Sequence, residues 1–244
     1  MWKNKKVSVI FPTYNEKDSI KQAIEDFFAS GYVDEIIVVD NNAAKGTDQE
    51  VKKTDARIVY EKRQGYGYAI WKGLEEAKGE LLIISEPDGT FSGRDVIKLL
   101  AYSDDFDYVL GTRTTRELIW KDANMGGFLK WGNWAVAKFL EFLYNTTTLT
   151  DVGCTMRLIK RPLYEKLKPH FSVGTQHFGP ELTLLVAKSN VKFIEIPVNY
   201  KPRIGKSSVT GSFRKSVVLG TKMIFLILRY RFKRINFSND SCLS

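Results

Sequence analysis

Residues Leu81–Phe91 read LLIISEPDGTF: four aliphatic residues, then a serine, then two carboxylates held apart by a proline. The unbroken apolar start fits a strand covered on both faces, as in a parallel sheet. Its end has two readings. Pro87-Asp88-Gly89 is a turn signal in its own right. Glu86 and Asp88, at i and i+2 on a strand end, can also project to the same side and share a hard divalent cation.

Working outward, the pattern repeats. VSVIFP (Val7–Pro12), DEIIVVD (Asp34–Asp40), ARIVYEK (Ala56–Lys62) and DYVLGTR (Asp107–Arg113) read as further strands. Between them lie KDSIKQAIEDFFASG, with its stripe Ile20, Ala23, Ile24, Phe27 and Phe28 closed by Gly31, a short helix after NNAAKG, RQGYGYAIWKGLEEAKG and GRDVIKLLAY. These carry helical spacing and helix stops. Strands alternating with helices predict an α/β domain with a mostly parallel sheet. In such sheets ligands bind beyond the carboxyl ends of the strands. Here those ends read PTYNE, DNN, EKRQGYG, EPDG and GTR, polar or glycine-rich in every case. RQGYGYA lacks the third glycine of a dinucleotide fingerprint and follows the third strand, so it is not one. After Arg113 come a Trp- and Phe-rich helix (126–145), TDVGCTMRLIKRPLYEKL, QHFGPELTLLVAKSN, a strand VKFIEIPVNY and a mixed apolar and cationic helix from Phe213.

The 244 residues carry a net charge of +9. Ten Lys or Arg and no Asp or Glu lie between Lys201 and Phe237, leaving 27 basic and 28 acidic residues elsewhere. The basicity is therefore local, and it predicts contact with a polyanion or an anionic membrane surface. Two cysteines, Cys154 and Cys242, make no disulfide framework. No stretch approaches the ~20 apolar residues of a spanning helix. A cytoplasmic protein, peripheral at the membrane, is expected. The plan predicted is a domain over residues 1–212 and a basic amphipathic segment over 213–244.

VSVIFPTYNE, IIVVDNN with its following GT, RQGYGYAIWKGLEEAKGE, EPDGTF and GTR stand in the order that resembles the GT-A fold, family 2 glycosyltransferases. TDVGCTMRLIKR and IEIPVNYKPRIGKSS look like acceptor-side motifs of the dolichyl-phosphate mannosyltransferase branch, and the likeness runs from Val7 to Ser208. It implies a GT-A sheet and transfer, with inversion, from a nucleotide-diphosphate sugar to a polyprenyl phosphate or another lipid-linked acceptor at the cytoplasmic membrane face. It implies Mg²⁺ or Mn²⁺ held by Asp88 and Glu86, where Glu stands in place of the family's first Asp. Pro12, Thr13, Glu16 and Asp40 fall around the nucleoside, Asn41 replacing a second acid often found after Asp40. Gly65 and Gly67 would let the backbone pass close to the nucleotide. Arg113, Arg203 and Lys206, with Arg157, would meet donor or acceptor phosphates, matching the guanidinium fork to phosphate oxygens. With Asp88, the first three form the expected catalytic set.

A phosphate acceptor is already ionised, so catalysis would rest on alignment and charge stabilisation. Transfer to a sugar hydroxyl would need a base, with Asp151 or Glu181 as candidates. A catalytically dead relative and a nucleotide- or nucleic-acid-binding protein are further alternatives. The basic tail interleaves its cations with long aliphatics, and no nucleic-acid module is present, so no nucleic-acid partner is expected.

Overall fold

The computed structural model describes residues 1–123, 127–205 and 213–237, with the side chains of 127–129 and 213–216 left aside. Among the described residues seven strands form one sheet: β1 Val7–Thr13, β2 Glu35–Asp40, β3 Arg57–Tyr60, β4 Leu81–Ile84, β5 Tyr108–Thr112, β6 Arg157–Lys160 and β7 Phe193–Pro197, in the order β3-β2-β1-β4-β6-β5-β7. The aliphatic strands β1, β2 and β4 are buried almost throughout and pair in parallel, Val9 facing Ile36 on one side and Ile83 on the other. That is what unalternating Val/Ile/Leu runs require: helices must cover both faces.

The helices are α1 Ile20–Phe28, α2 Thr47–Val51, α3 Tyr66–Glu76, α4 Val96–Tyr102, α5 Gly127–Tyr144, α6 Arg161–Leu167, α7 Phe178–Lys188 and α8 Phe213–Phe232. The stripe read from sequence on α1 is the face it buries: Ile20, Ala23, Ile24 and Phe27.

One strand is not signalled in the sequence. β6 is four residues long, lies inside TDVGCTMRLIKRPLYEKL, and inserts antiparallel between β4 and β5. Of its residues only Leu158 and Ile159 are aliphatic, flanked by Arg157 and Lys160, so no apolar run marks it as LLII marks β4.

The segment from residue 213 is not merely appended. Met223, Ile227 and Tyr230 on α8 are 5%, 1% and 1% exposed. The Tyr144 hydroxyl of α5 donates to the Ile227 carbonyl (2.8 Å), and Lys188 Nζ of α7 donates to the Tyr230 carbonyl (2.8 Å). No described helix is long and apolar enough to cross a membrane.

Candidate active site

The carboxyl ends of β1, β2 and β4 open into a cavity of about 500 Å³. Pro12 and Thr13 reach it from β1, Glu86 and Pro87 from beyond β4, Arg113 from beyond β5, and Arg203 from the segment after β7. Thr13 is buried and donates its hydroxyl to the Val39 carbonyl (3.0 Å), locking the ends of β1 and β2 together.

Arg203 organises the carboxylates. One guanidinium nitrogen lies 2.6 Å from Asp88 Oδ2 and 3.6 Å from Glu86 Oε2, and the other lies 3.1 Å from Glu16 Oε1. Asp88 is fully buried. Its Oδ1 accepts from the Thr90 amide (2.9 Å) and hydroxyl (2.5 Å), while Oδ2 has no aligned hydrogen-bond donor. The Ile204 amide donates to the Asp88 carbonyl and the Lys201 amide to the Thr90 carbonyl, so the 201–204 segment is tied along the turn that carries Asp88. Burial, reinforced by the neighbouring charge of Asp88, pushes the Glu86 carboxyl up to about 8, with Arg203 opposing. The Glu86 side chain keeps 27% exposure, so solvent moderates this shift.

Glu86 and Asp88 thus face one point already held by the positive charge of Arg203. Hard carboxylate oxygens, that of Asp88 buried, suit a small divalent cation that would take the place of that charge. Among the described residues no three His, Cys, Asp or Glu side chains converge as a complete cage. Two carboxylates with the remaining positions left to phosphate and water is the usual arrangement for a cation that arrives with a nucleotide.

The other expected residues are placed as follows. Asp40 turns its Oδ1 onto the Ala43 amide (2.8 Å), capping its own turn. Asn41 lines the cavity instead: its amide group donates to the Glu61 and Arg63 carbonyls and its oxygen accepts from the Gly65 amide, joining the ends of β2 and β3. Gly65 lines the cavity and Gly67 does not. Both meet a different neighbour from the one expected: a Cβ at Gly65 would collide with the Gly174 backbone, one at Gly67 with the backbone of Val173 and Gly174, and Gly65 has φ +153°. Arg63 pairs with Glu61 and lies over the Tyr68 ring, outside the cavity lining. Lys206 lies outside the described residues.

Arg113 forms a bidentate pair with the buried Asp151, Nε to Oδ2 2.8 Å and one terminal nitrogen to Oδ1 2.9 Å, and its backbone amide also reaches Oδ2. Glu181 is buried and accepts from the Ser172 amide and hydroxyl, the Val173 amide and the Tyr230 hydroxyl. Neither acid is free to serve as a base. Arg157 is 2% exposed and lines the cavity, yet its partners are the Tyr108 hydroxyl and the Gly179 and Cys154 carbonyls. No carboxylate neutralises it among the described residues.

The far lining includes Asn133, His177, Pro180, Leu219 and Met223. The local sequence patterns assign none of these to a site. Leu219 and Met223 look like any apolar positions of an amphipathic helix. His177 sits at the start of α7 with Nε2 buried and unpartnered, and burial lowers its pKa. A histidine flanked by Gln and Phe reads from sequence as packed or surface, and only the cavity distinguishes it.

Carboxylates and cations thus gather beyond the carboxyl ends of the parallel strands, where sheets of this class bind ligands. The chain belongs to glycosyl transferase family 2, whose sequence pattern matches residues 8–168, and it is a glycosyltransferase. An uncharacterised glycosyltransferase of Mycobacterium bovis is 30% identical over 217 residues, covering 87% of this chain and 93% of that protein. A dolichyl-phosphate hexose transferase of Haloferax volcanii is 24% identical over 93% of this chain and 96% of its own length. The low-salt glycan biosynthesis hexosyltransferase Agl6 of the same organism is 27% identical over 83% of this chain, which spans about half (49%) of it. In fold, the chain is similar to glucosyl-3-phosphoglycerate synthase from Mycobacterium tuberculosis, solved with Mn²⁺, UDP and phosphoglyceric acid. The TM-score is 0.74 at 17% identity, over 96% of this chain and 81% of the other.

Proposed function

We propose that the protein transfers a sugar, with inversion, from a nucleotide-diphosphate donor to a polyprenyl phosphate at the cytoplasmic face of a membrane, using Mg²⁺ or Mn²⁺. The observation that carries this reading is the state of the acids. Asp151 and Glu181, the bases a hydroxyl acceptor would call on, are consumed by internal bonds. The cavity instead offers cations: Arg203, Arg113 and an Arg157 that has no carboxylate partner among the described residues. A buried guanidinium without a counter-charge is costly and favours an anionic ligand. The names of the Haloferax relative and of an undecaprenyl-phosphate sugar transferase of Salmonella paratyphi A, 27% identical over 82% of this chain, agree with that acceptor.

Asp88 and Glu86 would hold the divalent cation, which neutralises the charge gathering on the departing diphosphate. Thr90 fixes the Asp88 carboxylate through its amide and hydroxyl, so little ordering remains to be done on binding. Arg113, held by Asp151, and Arg157 would meet phosphate oxygens, and an ionised acceptor needs no proton removed.

A second reading rests on His177, whose Nε2 is buried and unpartnered, which lies in the cavity wall, and whose pKa is lowered by burial. It would serve as base if the acceptor were a sugar hydroxyl. One experiment separates the two. Nucleotide sugars are screened for thermal stabilisation with and without Mn²⁺, and the best donor is offered polyprenyl phosphate or a lipid-linked glycan. The first reading expects metal-dependent donor binding, lost in Asp88→Asn, and transfer to the phosphate that survives His177→Gln. Transfer only to the hydroxyl, abolished by His177→Gln, would establish the second.

A further inference from the structure

α8 has two faces that do different work. The inner one packs on the domain through Met223, Ile227 and Tyr230. The outer one carries Val218, Phe225 and Phe232 at 53%, 69% and 83% exposure. These three are seven residues apart, two helical turns each, and so fall on one line along the helix. Neighbouring α5 packs against α8 and has its own exposed aromatics, Trp131 at 65% and Phe142 at 85%. Exposed apolar side chains in this number mark a surface meant to be covered.

Charge identifies what covers it. Lys222, Arg229, Arg231 and Arg234 are exposed on and just after α8, and no ion pair among the described residues engages them. No Asp or Glu occurs from Lys201 to Phe237. A second copy docked face to face would bring these cations together, which opposes self-association. Apolar rings alternating with cations on a helix too polar to span a bilayer match an anionic lipid leaflet.

Position links this surface to the reaction. Leu219 and Met223, on the same helix, line the cavity that holds Arg203 and Glu86. α8 is therefore a single wall with the cavity on one side and the apolar row on the other, about 10 Å across.

We propose that α5 and α8 together seat the protein on an anionic leaflet, so that a lipid-anchored acceptor presents its phosphate past α8 while its tail stays in the membrane. The lipid acceptor rests on the function proposed above; the seat itself is tested without it. Vesicles of neutral or of one-third anionic phospholipid, free of acceptor, are sedimented with the full chain. Binding is expected to the anionic vesicles alone, released by 0.5 M salt as screening requires. Phe225→Ser with Phe232→Ser should weaken it tenfold or more with an unchanged thermal midpoint, both side chains being exposed. Lys222→Gln with Arg229→Gln should weaken it on anionic vesicles. In the Phe pair variant, transfer to a short, water-soluble prenyl phosphate should persist while transfer to a long-chain acceptor in vesicles falls. If no prenyl phosphate is used yet vesicles still bind through these residues, the acceptor reading fails and the seat stands. Indifference to anionic vesicles at low salt, binding undiminished by the Phe pair, or a dimer in sedimentation equilibrium that the Phe pair dissolves would overturn the proposal.

Discussion

Arg203 shows how one side chain changes meaning between sequence and structure. KPRIGKSS suggests a donor- or acceptor-phosphate contact; in the fold the guanidinium lies among Glu16, Glu86 and Asp88 and supplies the positive charge these acids share. A divalent ion brought to Asp88 Oδ2 must compete with a guanidinium nitrogen 2.6 Å from that oxygen. Arg203→Met should therefore raise the affinity of the nucleotide-free chain for Mn²⁺ several-fold, read by calorimetry. It should also lower the thermal midpoint by a few degrees, because three acids lose their partner. Unchanged or weaker Mn²⁺ binding would show that the arginine and the metal do not share those oxygens. Asp88→Asn keeps the size of the side chain and removes its charge, so metal-dependent nucleotide binding should fall at least tenfold while folding survives. Equal Mn²⁺-dependent affinity in that variant would remove Asp88 from the metal site.

At the scale of the element, α8 does more than its basic, amphipathic sequence indicates. The Tyr230 hydroxyl, buried, bonds the Glu181 carboxylate and Ser172, joining the helix to the loop before α7. Tyr230→Phe leaves Glu181 its backbone donors but removes this charged bond, at a cost of about 1–3 kcal/mol. For a chain of this size that is roughly 2–12 °C in the midpoint of thermal unfolding. Deleting the chain from residue 213 should do far worse, exposing the seats of Met223, Ile227 and Tyr230. Circular dichroism should then show an unfolded or aggregating product, where the sequence alone set residues 213–244 apart from the domain. A deletion that folds with an undiminished midpoint would show that the inner contacts contribute little.

Across the whole molecule, Glu195 couples stability to pH. From β7 it accepts from the Thr150 amide and hydroxyl and from the Asp151 amide, and Asp151 in turn holds Arg113 at the cavity. Burial is the main cause that raises its carboxyl from the ordinary 4.5 to about 7. A group whose pKa is higher folded than unfolded contributes stability that is complete below about 4.5 and is lost as pH rises through about 7. The unfolding midpoint should fall between pH 5 and pH 8, and Glu195→Gln, which imitates the protonated acid, should flatten that fall. An identical slope in the variant would assign the pH dependence to other groups.

The α/β class, the parallel core of β1, β2 and β4, the helical stripe of α1 and the placing of polar residues at the strand ends were all legible in the sequence. Each is a local pattern: unbroken aliphatics for a strand covered twice, a 3.6-residue period for a helix, and Pro, Gly and Asp where the chain turns. The nearness of Glu86 to Asp88 is local as well, since both lie in the turn after β4, two positions apart, and share one Arg203 nitrogen. What the tertiary structure decided lies in partners far apart along the chain. Arg203 meets Glu16 across 187 positions, Tyr230 meets Glu181 across 49, and Arg113 meets Asp151 across 38. No local period encodes such pairings, because each depends on how whole elements stack. For the same reason the candidate bases could be proposed from sequence and found engaged only in three dimensions, and β6, with two aliphatics between two cations, acquired its strand identity from the neighbours that bind it.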